Sequence, residues 1–193
     1  MKGATKAVLA SAIRPAGYFN IKAQRLKNFI QFLESGYSGS LKALFDEELS
    51  VLRRKLLGVN GIGPETADSI ILYAAGKPAF VVDAYTERIF SRLGLVQKDA
   101  GYHRTQDYFM KRLPRKAELF NEYHALIVEH AKRSCRPKPL CASCVLNSIC
   151  AYAADLQSVE KASSAALLPR SLVRRISRYA SAVAWSRLAS EAF

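Results

Sequence analysis

No stretch of this 193-residue chain runs to the ~18 apolar residues that a membrane-spanning helix needs, so no membrane partner is expected. No cysteine occurs before residue 135, and all four crowd into residues 135–150. A disulfide scaffold would spread them over a smaller secreted chain, so the crowding points to a metal or a cluster. Acid is scarce beside base: 16 Asp and Glu against 29 Lys and Arg, a formal net charge of +13 and a pI of about 9.8. Such an excess favours polyanions, nucleic acid first and an anionic membrane surface second. The start, MKGATKAVLASAIRPAG, is basic and free of acid but lacks the apolar core and cleavage site of a secretion signal. An intracellular location is therefore expected, cytoplasmic or nucleoid-associated.

Half of the residues are hydrophobic, enough for a real core in one large or two small domains. The apolar spacing is helical almost throughout. Residues 20–35 carry Leu26, Phe29, Ile30 and Leu33 on one face, and residues 46–57 carry Leu49, Leu52 and Leu56. Residues 65–75 turn Ala67, Ile70, Ile71 and Ala74 inward. Residues 84–93 align Tyr85, Ile89 and Leu93. Two further helical patterns span 107–113 and 118–133, the latter with Phe120, Tyr123, Ile127 and Ala131 inward. The run AFVV at 79–82 has no second strand to pair with and is expected as a buried loop. The fold class is all-α.

The stretch VNGIGPETA, Val59 to Ala67, breaks this pattern and restarts it at once. Gly61 and Gly63 can take positive φ, and Pro64 suits the first position of the next helix. The N–H groups of this turn are left to point outward, where they attract a phosphate. A packing corner with no ligand is the plainer alternative. The segment LLGVNGIGPETADSIILYA resembles the helix-hairpin-helix of the endonuclease III-like DNA glycosylases. That resemblance implies contacts to double-stranded DNA carrying a damaged base, made by Val59, Gly61, Ile62, Gly63 and Thr66.

In this family the hairpin is followed by a Gly/Pro-rich loop that ends in a catalytic aspartate. Here the loop is GKPAFVVDAY, and the resemblance assigns that role to Asp83. The role is physically sound, because a carboxylate can stabilise the oxocarbenium-like sugar left when an N-glycosidic bond breaks, and can orient water. Asp83 can also simply cap the helix that follows. Bifunctional members carry a lysine in the second hairpin helix whose amine forms a Schiff base with the sugar. Glu65 stands in that place, and a carboxylate cannot form that adduct. The expectation is a monofunctional glycosylase of base excision repair. N-alkylated purines rank first as substrates, by likeness to the 3-methyladenine glycosylases of this family, and mismatched thymine or uracil second. The base would be flipped out of the duplex to reach Asp83.

The cysteine motif is CRPKPLCASCVLNSIC: Cys135, Cys141, Cys144 and Cys150, with gaps of five, two and five residues. Spacing alone leaves zinc and a [4Fe–4S] cluster open. The family resemblance favours [4Fe–4S], although members commonly have six residues in the first gap. Arg136 and Lys138 are candidate phosphate contacts from this loop, or solvated charges.

The expected organisation is a helical glycosylase core over 1–134, an iron–sulfur loop over 135–152, and a linker and basic C-terminal helix over 153–193. Ser/Ala-rich residues 155–170 form the linker. The last helix is capped by Ser171, with Leu172, Ile176, Tyr179 and Val183 on one side and Arg174, Arg175 and Arg178 on the other. His103 is expected in a surface turn. His124 and His130 are expected to be structural or exposed, Trp185 to pack, and Tyr18 and Phe19 to support the core. The family usually has two helices before IRPAGYFNIKA, and this chain begins almost there. A shortened, non-catalytic DNA-binding protein is thus the rival to a monomeric enzyme, with a zinc-bearing RNA binder more remote.

Overall fold

The computed structural model describes residues 3–166, and every regular element among them is helical. The chain divides into two compact units, one ending at Cys144 and the other beginning at Val145.

The first unit opens with helix α1, Lys6–Ala12, capped by the Thr5 side chain, which accepts from the Val8 N–H. It packs through Leu9 and Ala10 against Ala23 of α2, Phe19–Tyr37. Phe19 packs against this cluster as expected, whereas Tyr18 is exposed and left-handed at φ 46°.

The helix expected from Asp46 to Leu57 forms only from Leu49, as α4, Leu49–Leu57, and a short α3, Leu41–Phe45, precedes it. Between the two, Glu47 Oε1 accepts from the Tyr37 hydroxyl at 2.9 Å and from Lys55 Nζ.

Helix α5, Pro64–Ser69, runs into a single π-helical turn, Ile70–Ala74. Together α4 and α5 are the two arms of the hairpin. Leu52, Leu56, Val59, Ile62, Ala67 and Ile71 root it in a core shared with Leu33 and Leu44. Ala74, expected inward, is exposed, because the wider π turn rotates it off the apolar stripe.

The AFVV run is a buried loop, as its unpaired apolar character implied. Ala79, Phe80, Val81 and Val82 are 4%, 0%, 1% and 1% exposed. Phe80 stacks on Phe109 with ring centroids 4.1 Å apart and meets the edge of Phe120 at 5.4 Å. The loop therefore enters α6, Ala84–Arg92, from a firmly anchored base.

Helix α7, Gly101–Met110, starts earlier than the expected 107–113, so His103 lies on an exposed helical face rather than in a turn. Helix α8, Ala117–Arg133, buries Phe120, Ile127 and Ala131 as its spacing required.

The second unit carries α9, Ala151–Ala166. The Ser/Ala-rich stretch expected as a linker is helical as far as Ala166, since alanine favours helix more than any other residue. Residues 167–170, the basic helix from Ser171 and Trp185 lie outside the described residues.

Candidate functional site

The hairpin turn is shaped by one glycine more than the other. Gly61 has φ +93°, while Gly63 has φ −89° and needs no special freedom. A Cβ on Gly61 would also lie 2.3 Å from Arg25 Cγ, so the stem of Arg25 on α2 lies directly over the turn. Asn28 of α2 ties the turn down, donating from Nδ2 to the Asn60 carbonyl at 2.9 Å.

Ile62 N–H is spent on the Val59 carbonyl at 3.0 Å. Among the described residues no carbonyl receives the N–H of Gly61 or Gly63. These two amides, the first turn of α5 and the exposed Arg25 make an arrangement suited to an oxyanion. Val59 and Ile62 are 6% and 8% exposed and both of their N–H groups are spent on backbone carbonyls, so neither has a donor left for a phosphate; Thr66 is exposed.

Asp83 is the N-cap of α6. Its Oδ1 accepts from Thr86 N–H at 2.7 Å and from Thr86 Oγ1 at 2.9 Å, leaving Oδ2 uncommitted to the cap. Oδ2 faces His124 Nε2 of α8 at 3.5 Å. The His124 side chain is only 12% exposed, and Nε2 is buried without a hydrogen bond of ordinary length.

On its other side the ring meets Tyr73, whose hydroxyl pairs with His124 Nδ1. Tyr73 sits in the π turn of the hairpin helix. Burial, and then the charge of Asp83, push its phenol up, so it holds its proton and donates to Nδ1. In the neutral ring, the remaining hydrogen then sits on Nε2 and points at Asp83.

Burial opposes the charge of Asp83. His124 facing Oδ2 and the two donors of Thr86 at Oδ1 outweigh it and hold the carboxyl below its ordinary value. Glu65, in the first turn of α5, moves the opposite way. Burial first, then the negative charge of Asp83, raise it, with His124 opposing and Glu87 adding. The two carboxyls share one electrostatic neighbourhood yet have diverging proton affinities.

Sequence reasoning missed His124 and Tyr73. Both were accessible only as residues on separate helices, and no local pattern links them. His130 lies beside a cysteine rather than in solvent: its Nε2 is 3.6 Å from Cys144 Sγ.

The cysteine loop leaves α8 and is gripped by α6. Arg88 Nε donates to the Cys135 carbonyl at 2.9 Å. Arg92 donates to the Arg136 and Pro137 carbonyls at 2.7 and 3.0 Å and approaches Cys135 Sγ at 3.3 Å. Four half-buried thiols are the donor chemistry that iron–sulfur clusters and zinc require. Among the described residues the side chains are not gathered into a metal-holding group of three or more.

A helical hairpin braced to accept an oxyanion, followed by a buried loop that delivers a capped aspartate, defines a helix-hairpin-helix protein. The chain belongs to the HhH-GPD superfamily of base excision DNA repair proteins, whose family model matches residues 1–115. It is 49% identical over 143 residues to a candidate DNA repair glycosylase of Methanocaldococcus jannaschii, covering 74% of this chain and 65% of that protein. It is similar to endonuclease III in a trapped covalent complex with DNA, with a TM-score of 0.68 and 26% identity over 80% of this chain and 68% of that one. It is also similar to the 3-methyladenine DNA glycosylase of H. pylori bound to 1,N6-ethenoadenine, with a TM-score of 0.60 and 30% identity over 68% of this chain and 65% of that one. The chain thus spans about two thirds of the length of these relatives. No helix among the described residues is long and apolar enough to cross a membrane.

Proposed function

We propose that this chain is a monofunctional DNA N-glycosylase of base excision repair that removes an N-alkylated purine by hydrolysis. The observation that carries the proposal is Asp83: a capped carboxylate, held ionised beside His124, at the end of a buried loop that follows an oxyanion-ready hairpin.

The chemistry asks little beyond that carboxylate. An N-alkylated purine carries a positive charge, so when the bond from C1′ to the base nitrogen breaks, the electron pair leaves with the base and neutralises it. The sugar becomes oxocarbenium-like. Asp83 stabilises that charge and orients a water, whose oxygen bonds to C1′ and whose proton passes to Asp83 or solvent. Glu65 has no amine with which to form a Schiff base, so the product is an abasic site in an unbroken strand. The hairpin amides, with Arg25 above them, hold a phosphate of the strand and present the flipped nucleotide.

Cys135, Cys141, Cys144 and Cys150 would hold a [4Fe–4S] cluster. Its metal–thiolate bonds would fix the loop that Arg88 and Arg92 grip.

The test uses duplexes that each carry one lesion: 1,N6-ethenoadenine, 7-methylguanine, uracil opposite guanine, or thymine opposite guanine. Base release is read after alkali, with borohydride trapping in parallel. Release of the cationic 7-methylguanine ahead of the neutral 1,N6-ethenoadenine, a loss of about 100-fold or more in Asp83→Asn and no trapped adduct are the expected results. Preference for uracil or thymine would reassign the substrate. Duplex binding without release of any base would select a non-catalytic DNA-binding protein, and a borohydride adduct would end the monofunctional assignment.

A further inference from the structure

The most heavily hydrogen-bonded buried charge in the described chain takes no part in the chemistry above. Asp68, in the second hairpin helix, is 0% exposed and accepts four hydrogen bonds. Arg53 of α4 clamps it from two sides, Nε to Oδ1 at 2.7 Å and Nη2 to Oδ2 at 3.0 Å. From α7, Tyr102 OH and Gln106 Nε2 each donate to Oδ2 at 2.7 Å.

The cluster does not end at the carboxylate. Gln106 Nε2 also donates to the carbonyl of Phe80 at 2.7 Å. That contact reaches the loop three residues before Asp83. An ion pair that served only to join α4 to α5 would not need it. Arg53, Asp68, Gln106 and Phe80 form one unbroken polar path from the two arms of the hairpin to the backbone that delivers Asp83.

We propose that Asp68, with Tyr102 and Gln106, is a positioning device that sets the Asp83 loop against the DNA-gripping hairpin, so that loss of the device slows base release without weakening the hold on DNA. The inference rests on the reading of Asp83 as the catalytic carboxylate. Apolar packing of Phe80 on Phe109 and Phe120 buries the loop, and the directional hydrogen bond from Gln106 to the Phe80 carbonyl is what ties its backbone to the hairpin. A displacement of about 1 Å at a reacting group can cost on the order of 100-fold in rate.

Two mild variants test it: Tyr102→Phe, which removes the hydroxyl and keeps the ring, and Gln106→Leu, which cuts the tie to Phe80. For each, thermal melting shows that the protein is folded. Single-turnover release is measured on whichever lesion duplex the wild type processes, affinity on the same duplex without a lesion, and hydrogen exchange on the peptide covering 79–84. The expected result is a rate reduced about 10- to 100-fold, affinity within about twofold of the wild type, and faster exchange in 79–84 with 120–131 still protected.

An unchanged rate in a folded variant overturns the inference. So does affinity falling in step with rate, or exchange quickening everywhere, which is general loosening. If the wild type releases no base, or Asp83→Asn releases it at full rate, the catalytic reading fails first. Exchange at 79–84 then decides alone whether the device positions this loop, and an unchanged profile there sinks it.

Discussion

His124 Nε2 and Asp83 Oδ2 face each other at 3.5 Å, the one on α8 and the other at the head of α6. Burial drives the Asp83 carboxyl towards its neutral form, and His124 is the first of the groups that oppose it. His124→Phe should therefore raise the Asp83 carboxyl and move the acidic limb of the rate–pH profile to higher pH. At neutral pH the rate should fall roughly tenfold through lost orientation. The sign for stability agrees. A carboxyl depressed by folding adds stability above its unfolded range and loses it as pH falls through the folded value, so the variant should lose that contribution at a higher pH. Superimposable profiles would refute the assignment.

Gly61→Ala places a methyl 2.3 Å from Arg25 Cγ on a backbone with φ +93°. A cost of about 1–3 kcal/mol is expected from the backbone alone, with weaker duplex binding because Arg25 must move. Thermal melting and a DNA titration check both effects.

Arg25→Ala leaves the fold in place, since the side chain is exposed. Affinity should fall equally for all duplex sequences, and the slope of log K against log salt should shrink by about one. A salt slope identical to the wild type would remove Arg25 from the phosphate contact.

Arg53→Met leaves Asp68 buried with its counter-charge gone. Removal of one partner from a buried pair costs about 3–5 kcal/mol. Denaturant melts should show this, and should show much less for Lys42→Met, whose partner Asp46 is exposed.

Protein purified without oxygen should be brown and absorb broadly at the violet-to-blue edge of the visible. Arg92→Ala should release iron faster than the wild type, because the clamp on the Arg136 and Pro137 carbonyls is gone. Stoichiometric zinc with no iron would replace the cluster by a zinc site.

Much of the site was legible because it is local. The hairpin turn needs glycine at one position and proline at the next helix start, and the aspartate caps its own helix three residues before Thr86. Such signals lie within a few residues of one another. The partners of Asp83 do not: Tyr73, Glu65 and His124 come from a π turn, a first helical turn and the middle of α8. Asp68 leaves one local trace, an acid between the inward residues Ala67 and Ile71, but its partners Arg53, Tyr102 and Gln106 come from other helices. The start of the 46–57 helix only at Leu49, and the short α3 before it, escaped because apolar periodicity marks the face a helix buries and not where its ends fall.

The π turn Ile70–Ala74 takes in one residue more than α winding would over nearly the same rotation. Excising one of its residues should therefore return the segment to ordinary winding, with the hairpin helix before it and the loop after it close to where they stand. Spare length is what brings Tyr73 to the imidazole, so the loss should fall on that one pairing and leave the frame around it intact.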